Sequence, residues 1–472
     1  MKQEIKKTEQ KALEINLDEG IYGTFAEIGA GQEVARNFFQ VGAAAGTIAK
    51  TMSAYDKTYS DAIYGPEVSG RYVCEKRLYT MLDHEWELME ERLGGDRKRS
   101  FFIFADTVAA INYKKTIKGN GWMGVRFQIR PGGQYNELVI HVKMLDIDNK
   151  LQQDAIGVLG VNMIYACYYH HKNPEQFVKS LRDGLKGRIM VDLIRLTGPD
   201  FKDVDHRLLC LYLVKNGLTD VTMFDGSNSV HASEFLYRKS LMVVRGNFRP
   251  PTLVTLDVIK SSFEQFRNEA DIEEKRAFIA SELTLEYLSK FGVISERDFL
   301  DRADMLCALG QTVVLSNVNN HQSLINYLSD YRIPHLGLVI GVRELLDIIV
   351  EKYYENQDGR LLVAFGELFT KSIKIYAYPA IVNGHMMKAS NLPVPEGIKF
   401  LYKHLLDSEQ IVEVSDYRED LLHINPTEVL HDIQKNKPGW EEKLPAILVE
   451  TIKEKGSFGY EIKKENEKIT HD

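Results

Sequence analysis

Polar side chains follow several predicted β-strands, at the positions where open α/β sheets bind ligands. These residues are Thr197, Asp200, Asp225, Ser227, Arg245, Arg249, Ser316 and Asn317. In open parallel sheets, ligands bind beyond the carboxyl ends of the strands. The sequence therefore predicts a ligand site built from these residues. The alternative is that they are ordinary turn and helix-cap residues, which any α/β protein contains.

Two arginines suggest the charge of the ligand. Arg245 and Arg249 stand four residues apart at the end of the apolar run SLMVVRGNF. In a strand that continued through residue 249, both side chains would lie on one face. Two guanidinium groups on one face can hold an anion together. We therefore expect a small anionic or nucleotide-like ligand, and the sequence leaves any cofactor unknown.

Motifs for most other chemistries do not occur. The chain has no HExxH, CxxC, GxSxG or GxxxxGK[ST] segment, which argues against zinc peptidases, α/β-hydrolases and P-loop enzymes. His170 and His171 are adjacent, so on a helix their rings would point about 100° apart and would not suit one metal ion. We expect no metal site.

The segment from Gly29 to Val34 contains part of a dinucleotide-binding fingerprint. Gly29, Ala30 and Gly31 supply small residues, but Val34 occupies the position that needs Gly or Ala for close helix–strand packing. No following strand with an acidic residue is predicted. The other interpretation is a helix start with small residues.

Asp146 and Asp148 follow the apolar run NELVIHVKML, and Ser316 ends a later one. This arrangement resembles the nucleophile and acid of haloacid-dehalogenase-like phosphotransferases. The alternative is a polar turn in which Asp148 or Asn149 caps the next helix.

Hydrophobic periodicity predicts the elements that would position these residues. Strands alternate with helices of ten or more residues, which indicates parallel pairing with crossover helices. Strands between residues 100 and 145 have short connections, which also allow antiparallel pairing. The predicted class is mixed α/β, with largely parallel sheets and a helical N-terminal segment. The expected domains are 1–95 (helical segment), 96–255 (α/β), 256–310 (helical connector), 311–460 (second α/β) and 461–472 (polar tail).

The Gly/Ala-rich segment predicts a close helix contact. Residues 42–46 (GAAAG) would form a helical turn with almost no side chain, and small residues four apart lie on one face. The partner would be the amphipathic helix over 71–93 or the same segment of a second chain. A homo-oligomer is therefore expected.

Charge, hydropathy and cysteine usage predict the compartment. The formal net charge of −8 over 472 residues argues against nucleic-acid binding, which needs a basic face. The N-terminus has no apolar signal region, and no apolar run is long enough to cross a membrane. Cys74, Cys167, Cys210 and Cys307 are far apart and lie among apolar residues, as reduced structural thiols do. We expect a cytoplasmic protein with no membrane partner.

Three stretches, 21–56, 144–166 and 233–257, resemble a family of bacterial cytosolic proteins of similar length. Members of that family carry the labels "TonB-dependent receptor" and "nicotinamide mononucleotide adenylyltransferase". The first label implies an exported, closed barrel of alternating strands, and the second implies an HxGH-type motif, which none of the 13 histidines provides. The residues support neither label, so the resemblance implies no site residues.

Two hypotheses follow for the function. The first is a cytosolic α/β protein that binds a small anionic or nucleotide-like ligand at strand carboxyl ends, with enzymatic activity left open. The alternative is a non-catalytic homo-oligomeric scaffold.

Overall fold

The computed structural model describes residues 5–95, 98–116, 118–290, 292–318, 324, 327–328, 331, 333–356, 360–368 and 373–462. The chain divides into two compact units. Unit 1 comprises Met1–Thr222 and Ser227–His231, and unit 2 comprises Met223–Gly226 and Ala232–Asp472. The protein is a mixed α/β protein, as predicted.

Unit 1 is built on a six-stranded mixed sheet. Its strands are β1 (Ile21–Gly29), β2 (Ile48–Ala54), β3 (Ser100–Ala109), β4 (Asn120–Phe127), β5 (Asn136–Met144) and β6 (Ile189–Thr197). They lie in the order β2-β1-β3-β4-β5-β6. β1 pairs parallel with β2 and β3, whereas β3 to β6 pair antiparallel. The helices are α1 (Thr8–Asn16), α2 (Glu33–Gln40), α3 (Lys57–Tyr64), α4 (Glu75–Leu93), α5 (Asn149–Tyr169), α6 (Pro174–Ser180) and α7 (His206–Lys215).

Helices cover both faces of this sheet. One face packs against α5 and α2 through a cluster that includes Phe25, Val125 and Leu159. The other face packs against α4 through Leu78 and Leu82. A sheet buried on both faces needs apolar residues at nearly every position, which explains the apolar runs in β3, β4 and β5.

The N-terminal segment is not helical throughout, and this corrects the prediction. β1 and β2 join the sheet, and residues 42–46 form no α-helix. Gly42 has φ +81° and Ala43 has φ +57°, and a 3₁₀ turn covers Ala44–Gly46. Gly42 follows the C-cap residue of α2, where a left-handed glycine commonly ends a helix. A Cβ built at Gly42 or Gly46 meets no described atom within 4 Å, so this segment makes no close contact with the 71–93 helix of its own chain. The alternative contact with a second chain stays a prediction.

Unit 2 is built around a largely parallel sheet. An eight-stranded sheet has the order β16-β13-β12-β9-β10-β11-β7-β8. Its strands are β7 (Val221–Asp225), β8 (Asn228–Val230), β9 (Ser240–Arg245), β10 (Ala277–Thr284), β11 (Thr312–Ser316), β12 (Leu336–Gly341), β13 (Ile373–Tyr378) and β16 (Ile411–Glu413). Of these strands, β8 and the first two residues of β7 are counted in unit 1. Pairing is parallel from β11 through β10, β9, β12 and β13 to β16. A separate antiparallel pair is formed by β14 (Ala380–Val382) and β15 (His385–Met387).

Crossover helices connect the parallel strands, as the alternating pattern predicts. The helices of unit 2 are α8 (Ala232–Leu236), α9 (Leu253–Arg267), α10 (Leu285–Ser289), α11 (Glu296–Ala308), α12 (Val342–Glu355), α13 (Leu361–Leu368), α14 (Lys399–Asp407), α15 (Pro426–Gln434) and α16 (Ala446–Lys455). α11 begins after Ser295, whose side chain accepts a hydrogen bond from the Asp298 amide. The segment 320–331 (NHQSLINYLSDY), whose pattern also predicts a helix, lies largely outside the described residues.

The units do not follow the predicted domain boundaries at residues 95, 255 and 310. β1 and β2 share a sheet with β3 to β6, and β9 shares a sheet with β10 to β13. The chain passes between units within residues 222–232. The predicted helical connector contains β10, whose buried Ser281 and Glu282 interrupt the apolar pattern by which strands are recognised.

Two structural observations concern the predicted cytoplasmic location. No helix among the described residues is long and apolar enough to cross a membrane. None of the four cysteines is in a disulfide. Cys167 and Cys210 are buried, and Cys74 and Cys307 are half-buried.

Candidate functional site

A cleft lies at the carboxyl ends of β9, β12 and β13 in unit 2. Its volume is about 230 Å³, and its lining includes Arg245, Arg249, Gly341 and Tyr378. A second cavity of about 540 Å³ shares Gly341 and Tyr378, so the two form one depression, which we call the strand-end cleft. This edge is where open parallel sheets bind ligands.

Arg245 is the last residue of β9 and is held by a buried carboxylate. Its Nε and Nη2 donate to Glu282 Oε2 and Oε1 at 2.7 and 3.0 Å. The two residues are direct partners in the register of β9 and β10, which explains the bidentate geometry. Ser316 Oγ donates to Glu282 Oε1 at 2.6 Å. Glu282 thus connects two predicted site residues across three neighbouring strands.

Arg249 lines the same cleft, but a turn and not the predicted strand places it there. β9 ends at Arg245, and a turn through Phe248, with φ +47°, carries the chain to Arg249. The idea of a regular strand through residue 249 is therefore wrong, although both arginines line the cleft. Arg249 Nε lies 2.5 Å from Asp298 Oδ1, and Arg302 binds the other oxygen of Asp298 at 2.5 Å.

In the strand-end cleft the pKa values of Arg245 and of Glu344 are both raised above their ordinary values. Burial alone would lower the pKa of Arg245, but the adjacent Glu282 carboxylate raises it above its ordinary value. Burial raises the pKa of Glu344, and the nearby Arg245 opposes that rise. Glu344 lines the cleft in the first turn of α12, and Tyr287 Oη donates to its Oε1 at 3.3 Å. A carboxyl group whose pKa is raised by burial in a cleft is a candidate proton donor.

Backbone amides add to the positive end of the cleft. β12 passes directly into α12 at Gly341, whose position as N-cap provides no side-chain hydrogen bond to the helix. No described atom lies within 4 Å of a Cβ built at Gly341. The first amides of a helix lack intrahelical partners, and they favour anions there.

The other predicted residues lie elsewhere. Thr197 and Asp200 belong to unit 1, because β6 is part of the other sheet. Asp200 stabilises its own turn: Asn136 Nδ2 donates to its carboxylate at 2.9 Å, and its amide donates to Asn136 Oδ1 at 3.0 Å.

Three further predicted residues do not line the cleft either. Asp225 accepts a hydrogen bond from Thr312 Oγ1 at 3.3 Å. Ser227 is exposed in the turn between β7 and β8, and Asn317 is exposed after β11. Asp200 lies in a 3₁₀ turn and Ser227 in a turn, as the alternative interpretation expects, whereas Thr197 and Asp225 are the last residues of their strands.

A side chain of the protein already occupies the helix N-terminus in the segment with the partial dinucleotide fingerprint. A strand does follow it, contrary to expectation, because β2 pairs parallel with β1. However, Glu27 Oε1 already accepts the amides of Val34 and Ala35 at 3.0 and 3.4 Å. These are the groups that a pyrophosphate would use at a helix N-terminus.

The phosphotransferase arrangement is not assembled. Asp148 caps α5 by accepting the Leu151 amide at 3.1 Å, and Asp146 Oδ2 accepts from Arg188 Nε at 2.9 Å. Both aspartates belong to unit 1, whereas Ser316 belongs to unit 2. The interpretation as a capping turn is confirmed.

Unit 1 contains a buried cluster that is not predicted from the sequence, formed by His141, Asp192 and His231. His141 Nδ1 lies 2.6 Å from Asp192 Oδ1 and 2.9 Å from His231 Nε2. Burial and the neighbouring His141 lower the pKa of His231 to about 3. Burial would raise the pKa of Asp192, but the two histidines and Lys143 hold it below its ordinary value. His141 and Asp192 each interrupt an apolar strand, and that was the available signal.

Comparisons with known proteins identify no family. No family model and no curated protein matches the chain. Among solved structures, the competence/damage inducible protein CihA from Agrobacterium tumefaciens is 18% identical, with 35% of this chain and 98% of that chain covered and a TM-score of 0.25. The competence damage-inducible protein A from Klebsiella pneumoniae is 13% identical, with 34% and 94% covered and a TM-score of 0.25.

The Plasmodium falciparum nicotinic acid mononucleotide adenylyltransferase complexed with APC is 11% identical, with 48% of this chain and 100% of that chain covered and a TM-score of 0.30. At identities and TM-scores this low, these likenesses carry no argument about the activity of this chain.

Proposed function

We propose that this chain binds a small phosphate-bearing, nucleotide-like ligand in the strand-end cleft of unit 2. The observation that carries the proposal is the convergence of Arg245, Arg249 and the α12 N-terminus at Gly341 on one depression. Two guanidinium groups and free helix amides are the groups that bind phosphate oxygens in proteins.

The size and lining of the cleft favour a ligand larger than inorganic phosphate. The adjoining cavity of about 540 Å³ lies in the range of small-molecule sites, about 300–1,000 Å³. Tyr378, Val254 and Ile381 supply apolar surface beside the arginines. An anionic group near the arginines with a ring or sugar over the apolar wall fits this arrangement.

Arg249 is the side chain we assign to direct phosphate contact. Its side chain is 21% exposed, and Asp298 keeps a second cationic partner in Arg302 when Arg249 turns to a ligand. Arg245 is 7% exposed and anchored to Glu282, so we assign it the role of a fixed positive charge. If the protein is an enzyme, Glu344 is the residue we propose as the proton donor.

We further propose a cytoplasmic location, because cysteines without disulfides are typical of reducing compartments. The homo-oligomeric scaffold stays the alternative proposal. The Gly42–Gly46 turn has no packed neighbour among the described residues of its own chain, so a second chain is the partner that this alternative requires. The 71–93 helix, observed as α4, packs on the sheet of its own unit.

A thermal-shift screen tests the ligand proposal. Nucleoside phosphates and sugar phosphates should raise the melting temperature, while the matching uncharged nucleosides and sugars should not. A ligand at a hundredfold excess over its Kd stabilises the folded state by about 2.7 kcal/mol.

The Arg249→Ala variant should lose this response and keep its melting temperature without ligand. The matched control is Arg276→Ala, because Arg276 forms an exposed ion pair with Glu273 at the amino end of β10, on the opposite edge of the sheet. The proposal fails if no phosphate-bearing compound shifts the melting temperature, or if both variants respond like the wild type.

A further inference from the structure

We propose that His141, Asp192 and His231 in unit 1 form a binding site for one divalent transition-metal ion. The three side chains come from β5, β6 and the residue after β8, and each is at most 6% exposed. Their ligand atoms all lie within 4.8 Å of one another. This site is independent of the strand-end cleft.

The distances between the ligand atoms fit a metal centre. His141 Nδ1 and Asp192 Oδ1 are 2.6 Å apart, His141 Nδ1 and His231 Nε2 are 2.9 Å apart, and His231 Nε2 and Asp192 Oδ1 are 3.8 Å apart. Nitrogen and oxygen ligands bind zinc at about 2.0–2.2 Å, so tetrahedral ligands stand about 3.3 Å from one another. The observed distances lie on both sides of that value.

Hydrogen bonding alone does not satisfy this cluster. His141 Nδ1 is within hydrogen-bond distance of both Asp192 Oδ1 and His231 Nε2. An imidazole nitrogen either donates one proton or accepts with one lone pair, so it can form only one of these two hydrogen bonds. If it donates to Asp192, it cannot accept from His231, and the reverse holds as well. A cation between the three atoms uses all three lone pairs at once.

The second oxygen of Asp192 is also poorly satisfied. Asp192 Oδ2 is buried without a hydrogen-bond partner in the part of the chain that the structure describes. Lys143 Nζ lies 3.4 Å away. A charged group outside the ligand set orients a metal-binding carboxylate in many sites, and Lys143 is positioned for that role.

A β-bulge places the Asp192 side chain beside His141. Between β5 and β6, His141 pairs with Leu193 and Val142 pairs with Val191, so Asp192 is an extra residue at a β-bulge. Val191 packs in the cluster on the α5 face, whereas Leu193 packs in the cluster on the α4 face. Bulges recur next to functional sites because they redirect one side chain.

The surroundings are those of an enclosed metal site. The ring of Trp122 lies 5.0 Å from that of His141 and 5.3 Å from that of His231, measured between centroids. Two histidines and one carboxylate suit Zn²⁺ or Fe²⁺. Three protein ligands leave at least one coordination position for a water molecule or a substrate atom.

Metal titration of the full chain tests the inference. Chelator-treated protein is titrated with Zn²⁺ and with Co²⁺, and bound metal is counted after removal of free ions. We expect one ion per chain, a rise in melting temperature, and a Co²⁺ absorption spectrum of nitrogen and oxygen ligands without a thiolate charge-transfer band. No uptake, or a thiolate spectrum, would overturn the proposal.

Conservative variants locate the ion. His231→Gln and Asp192→Asn should each lower the affinity at least hundredfold, while His171→Gln, which changes a histidine of the same unit that contacts the Tyr168 carbonyl, should bind as the wild type does. Circular dichroism confirms that each variant is folded. Wild-type affinity in both folded cluster variants would refute the assignment, and if neither variant folds, the Co²⁺ spectrum of the wild type decides.

Discussion

A buried pair of acids in unit 1 predicts an unusual pH dependence of stability. Glu27 on β1 and Asp106 on β3 are direct register partners, and both are buried, at 3% and 0% exposure. Burial raises the pKa of Glu27 from 4.5 to about 7, although two helix amides oppose the rise. Burial and the neighbouring Glu27 also raise the pKa of Asp106.

The direction and the size of this pH dependence follow from the linkage between proton binding and folding. An acid with a raised pKa keeps its proton in the folded state at pH values where the unfolded state has lost it. Stability therefore falls as pH rises from about 4.5 to about 7, at about 1.4 kcal/mol per pH unit. Over that window Glu27 alone should reduce the free energy of unfolding by about 3 kcal/mol.

The Glu27→Gln variant isolates this effect, because its amide oxygen can still accept the Val34 and Ala35 amides. Near pH 4.5 the variant and the wild type should be about equally stable. At pH 8 the variant should be more stable by up to about 3 kcal/mol. The exposed Glu9→Gln change on α1 is the control, and it should show no such pH-dependent gain.

Urea unfolding followed by tryptophan fluorescence measures the difference. Trp86 and Trp122 belong to unit 1, whereas Trp440 belongs to unit 2, so a Trp440→Phe background confines the signal to unit 1. A Glu27→Gln effect that is the same at pH 5 and pH 8, or a variant that is less stable than the wild type at pH 8, would refute the reasoning.

Three further predictions concern the fold. Glu282→Ala should destabilise unit 2 by about 3–5 kcal/mol because it leaves the Arg245 guanidinium buried and uncompensated, and the double change Glu282→Leu with Arg245→Met should recover most of that loss in urea unfolding. Gly42→Ala should cost about 1 kcal/mol, because Gly42 has φ +81°, while Gly46→Ala, which meets open space at a negative φ, should be nearly neutral in the same assay. Thiol titration without reductant should find two reactive groups in the native protein and four after denaturation, whereas two disulfides would contradict the assignment.

The elements with regular apolar periodicity were predictable from the sequence. α4 buries apolar residues at helical spacing, α5 is buried along almost all of Ala155 to Cys167, and α11 begins at a Ser295 cap. The parallel core of unit 2 follows from strands that alternate with helices. In these segments local propensity and tertiary burial favour the same structure, so the pattern is sufficient.

The remaining features depend on contacts that no local pattern records. β10 is not predicted because Glu282 and Ser281 are buried polar residues whose partners are distant in sequence: Arg245 on β9 and Gln311 just before β11. The Gly42–Gly46 segment was misread because a glycine that ends a helix and one that admits a neighbouring helix look alike in sequence.

The residues of the candidate sites also depend on contacts between segments that are distant in sequence. Arg245 and Ser316 end strands of one sheet and meet at Glu282, whereas the strand of Thr197 belongs to the other sheet. The cluster of His141, Asp192 and His231 needs a β-bulge and three distant segments, and neither can be read from spacing along the chain.

The most direct test of the proposed function is a crystal structure of the chain with the phosphate-bearing compound that gives the largest thermal shift. We predict density for a phosphate group in the strand-end cleft, within hydrogen-bond distance of Arg249 and of the backbone amides that follow Gly341. A ligand bound at any other place, or an empty cleft at saturating ligand, would contradict the proposal.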